Sequence, residues 1–327
     1  MPHTFAHPFF AAPLKRLMPQ WLRVSGLALG SMAPDFEYFV AMEPYRTIGH
    51  TLPGFFLVDL PLCAAAALVM ERLLLPTMPL LLPSMGGWDR FAAERLGMRP
   101  LAKAGDWLAF AVSAFIGFLT HLFMDAWTHG HAYFTDRFDW LHGPGIGRFV
   151  LYESLQFVFS AIGAGAIALY VLIRWRAWRR AAGSGAASPV HPPDDKRRFV
   201  MVAVGVAALA ILAKWLIDPP FSLFGMANVA PFTAIAAGWM IAALSRRSRK
   251  AAWAALVMLL AVMSLYACAK AYLPPILRGA GYRRLAEPAL TVLWVAALWG
   301  FSLIAAGCAA ARPRNPRNTY RHDVRSV

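Results

Sequence analysis

Seven stretches of the chain stay apolar long enough to cross a lipid bilayer, and short segments rich in charge separate them. A hydrocarbon core of about 30 Å takes about 20 residues of helix. Runs of that order lie at 53–75, 107–128, 149–173, 199–217, 222–244, 251–272 and 289–311. The pattern predicts an all-α fold, a polytopic helical membrane protein with about seven transmembrane helices. The short DPPF segment at 218–221 makes the fourth and fifth spans a tight hairpin. The region before residue 53 contains no comparable run. It also lacks the basic start, compact apolar centre and small-residue cleavage site of a signal peptide, so the first span is expected to direct insertion.

Composition agrees with the pattern. Of 327 residues, 59% are hydrophobic and only 15% charged, with mean hydropathy +0.50, which is too apolar for an ordinary soluble globule. The formal charge of +15 would suggest nucleic acid if it formed one patch, but its distribution argues against that partner. Arg174, Arg176, Arg179, Arg180, Lys196, Arg197 and Arg198 flank one loop. Arg246, Arg247, Arg249 and Lys250 fill another, and Arg312, Arg314, Arg317, Arg321 and Arg325 lie in the tail. These groups follow the third, fifth and seventh spans and so share one side. Positive loops mark the cytoplasmic face, which predicts a multi-pass membrane protein with its C-terminus inside and its N-terminal region outside. Lys15, Arg16, Arg23 and Arg46, together with Arg278, Arg283 and Arg284, run against that rule.

The Gly-, Ser- and Pro-rich stretch GSGAASPVHPPDD, which begins at Gly183, reads as a flexible linker. It divides the chain into a metal-site membrane domain at 1–182, a cytoplasmic linker at 183–198 and a four-span domain with a basic tail at 199–327. Cys63, Cys268 and Cys308 lack CxxC spacing and read as small packing residues. No P-loop, dinucleotide fingerprint, GxSxG elbow or HExxH is present.

Histidine is unevenly placed. Seven of nine, His3, His7, His50, His121, His129, His131 and His142, fall in the first 142 residues. In THLFMDAWTHGH, His121, Asp125 and His129 are four apart and fan over about 80° of one helix face. Imidazole and carboxylate together suit zinc and other first-row divalent ions, and an ionisable group at membrane depth marks a functional site. His131 adds a nitrogen donor just past the helix. His3 and His7 have the spacing of a helical pair, although Pro8 disfavours helix at His7. GSMAPDFEYF brings Asp35 and Glu37, and IGHTLPGF brings His50. All these groups fall at or near the external interface, so one cluster could gather His3, His7, Asp35, His50, His121, Asp125 and His129. Asp59, in the first span, is a further functional candidate because it lies deep. The plainer alternatives are a solvated turn at Glu37 and an amphipathic surface anchor over 5–29.

The blocks MPHTFAHP, GSMAPDFEYF, HTLPGFFLVDLP and THLFMDAWTH resemble the bacterial membrane family known as domain of unknown function 4184. That family is in turn distantly similar to the inner-membrane metal-dependent hydrolases of the YdjM type. The resemblance implies His7, Asp35, His50, His121 and Asp125 as ligand positions, and implies no particular substrate. His129 rests on spacing alone.

Two functions fit. The first is a hydrolase in which a divalent ion, with zinc favoured, activates water against a lipid-linked or amphiphilic ester or phosphoester, with Glu37 or Asp35 as base. The second is non-enzymatic: a metal or proton transporter, or a scaffold with a structural ion. The resemblance favours the hydrolase. The membrane lipid is the expected partner, and oligomeric state is not specified.

Overall fold

The computed structural model describes residues 4–183, 188–219 and 222–311. It is predominantly helical, with no strand among the described residues, only an isolated bridge between Pro144 and Val150. Seven helices are long and apolar enough to span a membrane. A shorter helix, α1 (Val24–Met32), precedes them. The spans are α2 (Leu52–Leu81), α3 (Ala104–Thr128), α4 (Leu151–Ala182), α5 (Pro193–Ile217), α6 (Leu223–Arg247), α7 (Arg249–Gly279) and α8 (Ala286–Ala310).

Several helices overrun their apolar runs. α5 starts at Pro193, so the last six residues of the expected 183–198 linker are helical. Asp194 and Asp195 lie in its first turn, where acidic groups complement the helix dipole. Lys196 donates to Asp89 at 2.6 Å. Residues 184–187 of the linker, His3 and the basic tail lie outside the described residues.

The N-terminal region, for which a surface anchor over 5–29 is one alternative, packs along α3. The short helix His7–Ala11 and the turn Ala12–Arg16 lead to a tip. The chain then returns through α1, the turn Ala33–Asp35 and the short helix Phe36–Ala41. Contacts with α3 trace the path. The His7 ring stacks on His121 at 4.1 Å, Ala11, Leu22 and Leu27 pack with Ile116, and the Arg23 amide donates to Ser113 Oγ at 2.7 Å. The Arg23 side chain pairs with Asp106. On the return, the Ser31 carbonyl meets His121 Nδ1 at 2.8 Å. The segment is therefore a re-entrant hairpin whose tip points toward the end of α3 that lies beside the basic loops. That path accounts for Arg23, which reaches the Asp106 end of α3 rather than the His121 end.

Glycine permits this insertion. A Cβ on Gly30 would lie 2.0 Å from the Ala114 carbonyl oxygen, and one on Gly117 would lie 2.4 Å from that of Leu27. Small residues that let backbones touch are the usual means of helix association in lipid.

α2 sits centrally and carries two wide turns of π type, Phe55–Asp59 and Met70–Leu74. Pro61 and Pro76 follow them and lack the N–H that would bond the carbonyls four residues back, those of Leu57 and Arg72. In hydrocarbon a bare carbonyl is costly. The Trp299 indole of α8 donates to the Leu57 oxygen at 2.8 Å, and Arg247 of α6 donates to that of Arg72. Val58 and Leu62 pack against Tyr266, Trp294 and Leu298, while Leu73 and Leu80 pack against Phe199, Met240 and Leu244. A helix of the first expected domain is thus covered by helices of the second.

Candidate metal centre

The hairpin, the start of α2 and the end of α3 bring five expected ligands together. His121 Nε2 lies 3.2 Å from Asp125 Oδ2 and 3.9 Å from Asp35 Oδ1. His50 Nε2 lies 3.6 Å from Asp35 Oδ1 and 3.8 Å from Asp125 Oδ2. His7 Nε2 is 3.8 Å from Asp125 Oδ1. Two sets of three ligand atoms, from His7, Asp35 and His121 and from His50, His121 and Asp125, each fall within 4.8 Å of one another. His7 is the first residue of its helix, because Pro8 sits in the first turn, where its missing N–H costs nothing.

Hydrogen bonding leaves these atoms free. His7 Nε2, Asp35 Oδ1, His121 Nε2 and Asp125 Oδ1 are buried without a hydrogen-bond partner. A carbonyl only accepts, so the 2.8 Å contact with Ser31 O puts the His121 proton on Nδ1 and turns the Nε2 lone pair into the cluster. Thr4 Oγ1 donates to Asp35 Oδ2 at 2.5 Å and leaves Oδ1 facing the imidazoles. Orphaned nitrogen and oxygen atoms converging on one point are costly without a cation, and the set fits a divalent ion. Outside the spans, burial and the nearby His121 push the His50 imidazole down to about 3. Burial also lowers His129. Both imidazoles are thereby kept neutral, as ligands must be.

His129 stands at the rim. It caps α3 in an extended conformation, so it leaves the helix face that its spacing predicts, and its Nδ1 lies 3.7 Å from Asp125 Oδ2. His131 does not join: it is fully exposed, with Nδ1 3.8 Å from Asp136. His142 bonds the Thr135 carbonyl at 3.0 Å.

Glu37 does not fit the expected role of base, nor that of a solvated turn. It is buried and accepts from the Thr47 amide at 2.9 Å, the Thr47 hydroxyl at 2.5 Å, the Gly49 amide at 3.1 Å and Trp294 Nε1 at 3.2 Å. Four donors occupy its two oxygens, so it holds the His50-bearing loop against α8. Nothing in its sequence neighbourhood signals this, since Trp294 lies 257 residues away. Asp35 keeps an oxygen without a hydrogen-bond partner, which suits it to a ligand's role rather than a base's.

The fold and the cluster define a polytopic helical membrane protein with a buried histidine–aspartate centre at the end of one span. A family model described as a domain of unknown function, DUF4184, matches residues 1–272, and the chain belongs to that family. No curated protein and no solved structure matches the chain. The matched segment contains every residue of the cluster, whereas α8, which supplies Trp294 and Trp299, lies beyond it.

Proposed function

We propose that the chain is a metal-dependent membrane hydrolase acting on a lipid-linked or other amphiphilic ester or phosphoester. The observation that carries this reading is the asymmetry of the centre. His7, Asp35 and His121 are almost fully buried, whereas His50, Asp125 and His129 are 15, 14 and 29% exposed. A structural ion site is closed by protein on all sides; a catalytic one keeps an open position. A divalent ion held by His7, Asp35, His50, His121 and Asp125, with zinc favoured by the nitrogen and oxygen donors, would polarise a phosphoryl or carbonyl oxygen and acidify water. Ser31 and Thr4 orient the ligands. His129 stands where substrate would approach, and the open side faces the end of α3, at the level of lipid headgroups. By the positive-inside rule the ends of α4, α6 and α8 face the cytoplasm of a bacterial inner membrane and the centre faces outward.

Elemental analysis of protein purified without chelator tests the centre: about one to two divalent ions per chain are expected. His121→Ala and Asp125→Ala should each lower that content, and His142→Ala should not. Phospholipids and polyprenyl phosphates, presented in nanodiscs, test the chemistry. Metal-dependent cleavage abolished by Asp125→Asn supports the hydrolase. No cleavage, together with His121-dependent movement of ions into sealed vesicles, overturns it in favour of a transporter.

A further inference from the structure

A second group of acidic oxygens meets beside Gly49, next to the centre. Asp59, in the first wide turn of α2, is wholly buried, and neither carboxylate oxygen has a hydrogen-bond partner. Gly49 has no side chain to fill the space beside it. A Cβ placed there would lie 3.0 Å from Glu37 Oε2, 3.1 Å from the Pro34 carbonyl oxygen and 3.3 Å from Asp59 Oδ1. The four donors to Glu37 are amides, a hydroxyl and an indole, all neutral. No ion pair forms at either carboxylate among the described residues. Two buried carboxylates that face one gap, one with no donor at all, stay ionised together only with a positive partner between them; without one, a proton must neutralise Asp59.

We propose that Asp59, Glu37 and the Pro34 carbonyl bind a hard cation beside Gly49, in a site separate from the histidine centre. The donor set decides the class. It is all oxygen, with no imidazole or thiolate, which selects sodium, calcium or magnesium over zinc. Asp35 and Glu37 are two residues apart, about 200° around a helix, so one turn serves the two sites with opposite faces. The cation ties α2 to the loop that carries His50 and to the turn that carries Asp35, and it can be present whether or not the centre does chemistry.

The test is thermal unfolding of chelator-treated full-length protein in detergent, first in choline chloride and then with NaCl, CaCl2 or MgCl2 at matched ionic strength. At least one of these cations should raise the midpoint by about 5 °C, the scale set by a ligand well above its dissociation constant. Asp59→Asn removes the charge without changing shape, and Gly49→Ala fills the space without removing charge; each should abolish the shift. His121→Ala should keep it while losing zinc. The proposal is overturned if no cation shifts the wild type, if Asp59→Asn still responds, or if His121→Ala loses the response, which would put the cation in the histidine centre.

Discussion

His50 shows how a single residue couples the centre to pH. Its imidazole accepts a proton at about 3 in the fold instead of the ordinary 6.5, because burial opposes the charged form. The unfolded chain therefore binds more protons than the native one between those values, and stability rises with pH across that window. Chelator-treated protein should lose thermal stability steadily as pH falls from about 6.5 toward 4, and His50→Gln should flatten the decline. An unfolding midpoint that does not move over that range would contradict the assignment. Much of the centre was legible at this scale: His121 and Asp125 declare themselves by spacing and polarity within an apolar run, and His7, Asp35 and His50 by the family resemblance. Glu37 and His129 were not. The use of Glu37 depends on an indole from the last helix, and the departure of His129 from the helix depends on where α3 ends, which spacing does not encode.

Between elements, the tightest joint is that of α1 with α3, where Gly30 and Gly117 let two backbones touch. Gly30→Ala would force a methyl against the Ala114 carbonyl, and neither backbone can yield without moving Ser31 away from His121. Overpacking of this kind costs about 1–3 kcal/mol, so a lower unfolding midpoint and a lower metal content should appear together. Gly165→Ala on α4, where nothing lies within 4 Å of the added carbon, should change neither. Equal midpoints for the two variants would remove the joint from the account. The seven spans were legible because a bilayer sets their length, so apolar runs report them directly. The hairpin before them was not, because its helices are too short to register as spans and are covered by protein along one side.

For the whole molecule, alternating spans put the ends of α4, α6 and α8 on one side and the loop after α3 on the other. Reporters fused after residues 182 and 249 should both read cytoplasmic, and one near residue 140 should read external. The same side for 140 and 182 would eliminate α4 as a crossing. Charge alone made Lys15, Arg16 and Arg23 look misplaced, and the path of the chain resolves Arg23, which pairs with Asp106. The donor that Trp299 gives to Leu57 spans 242 residues, and it bears on the order of biosynthesis. When the ribosome has delivered α2 to the bilayer, the Leu57 carbonyl lacks the N–H four residues on, which is Pro61, and it gains the Trp299 indole only when the last helix leaves the insertion machinery. Glu37 likewise waits for Trp294. The first span and the loop beside the centre therefore complete their bonding last, and a nascent chain that stops short of α8 carries the whole histidine–aspartate cluster without the two indoles that hold its supports in place.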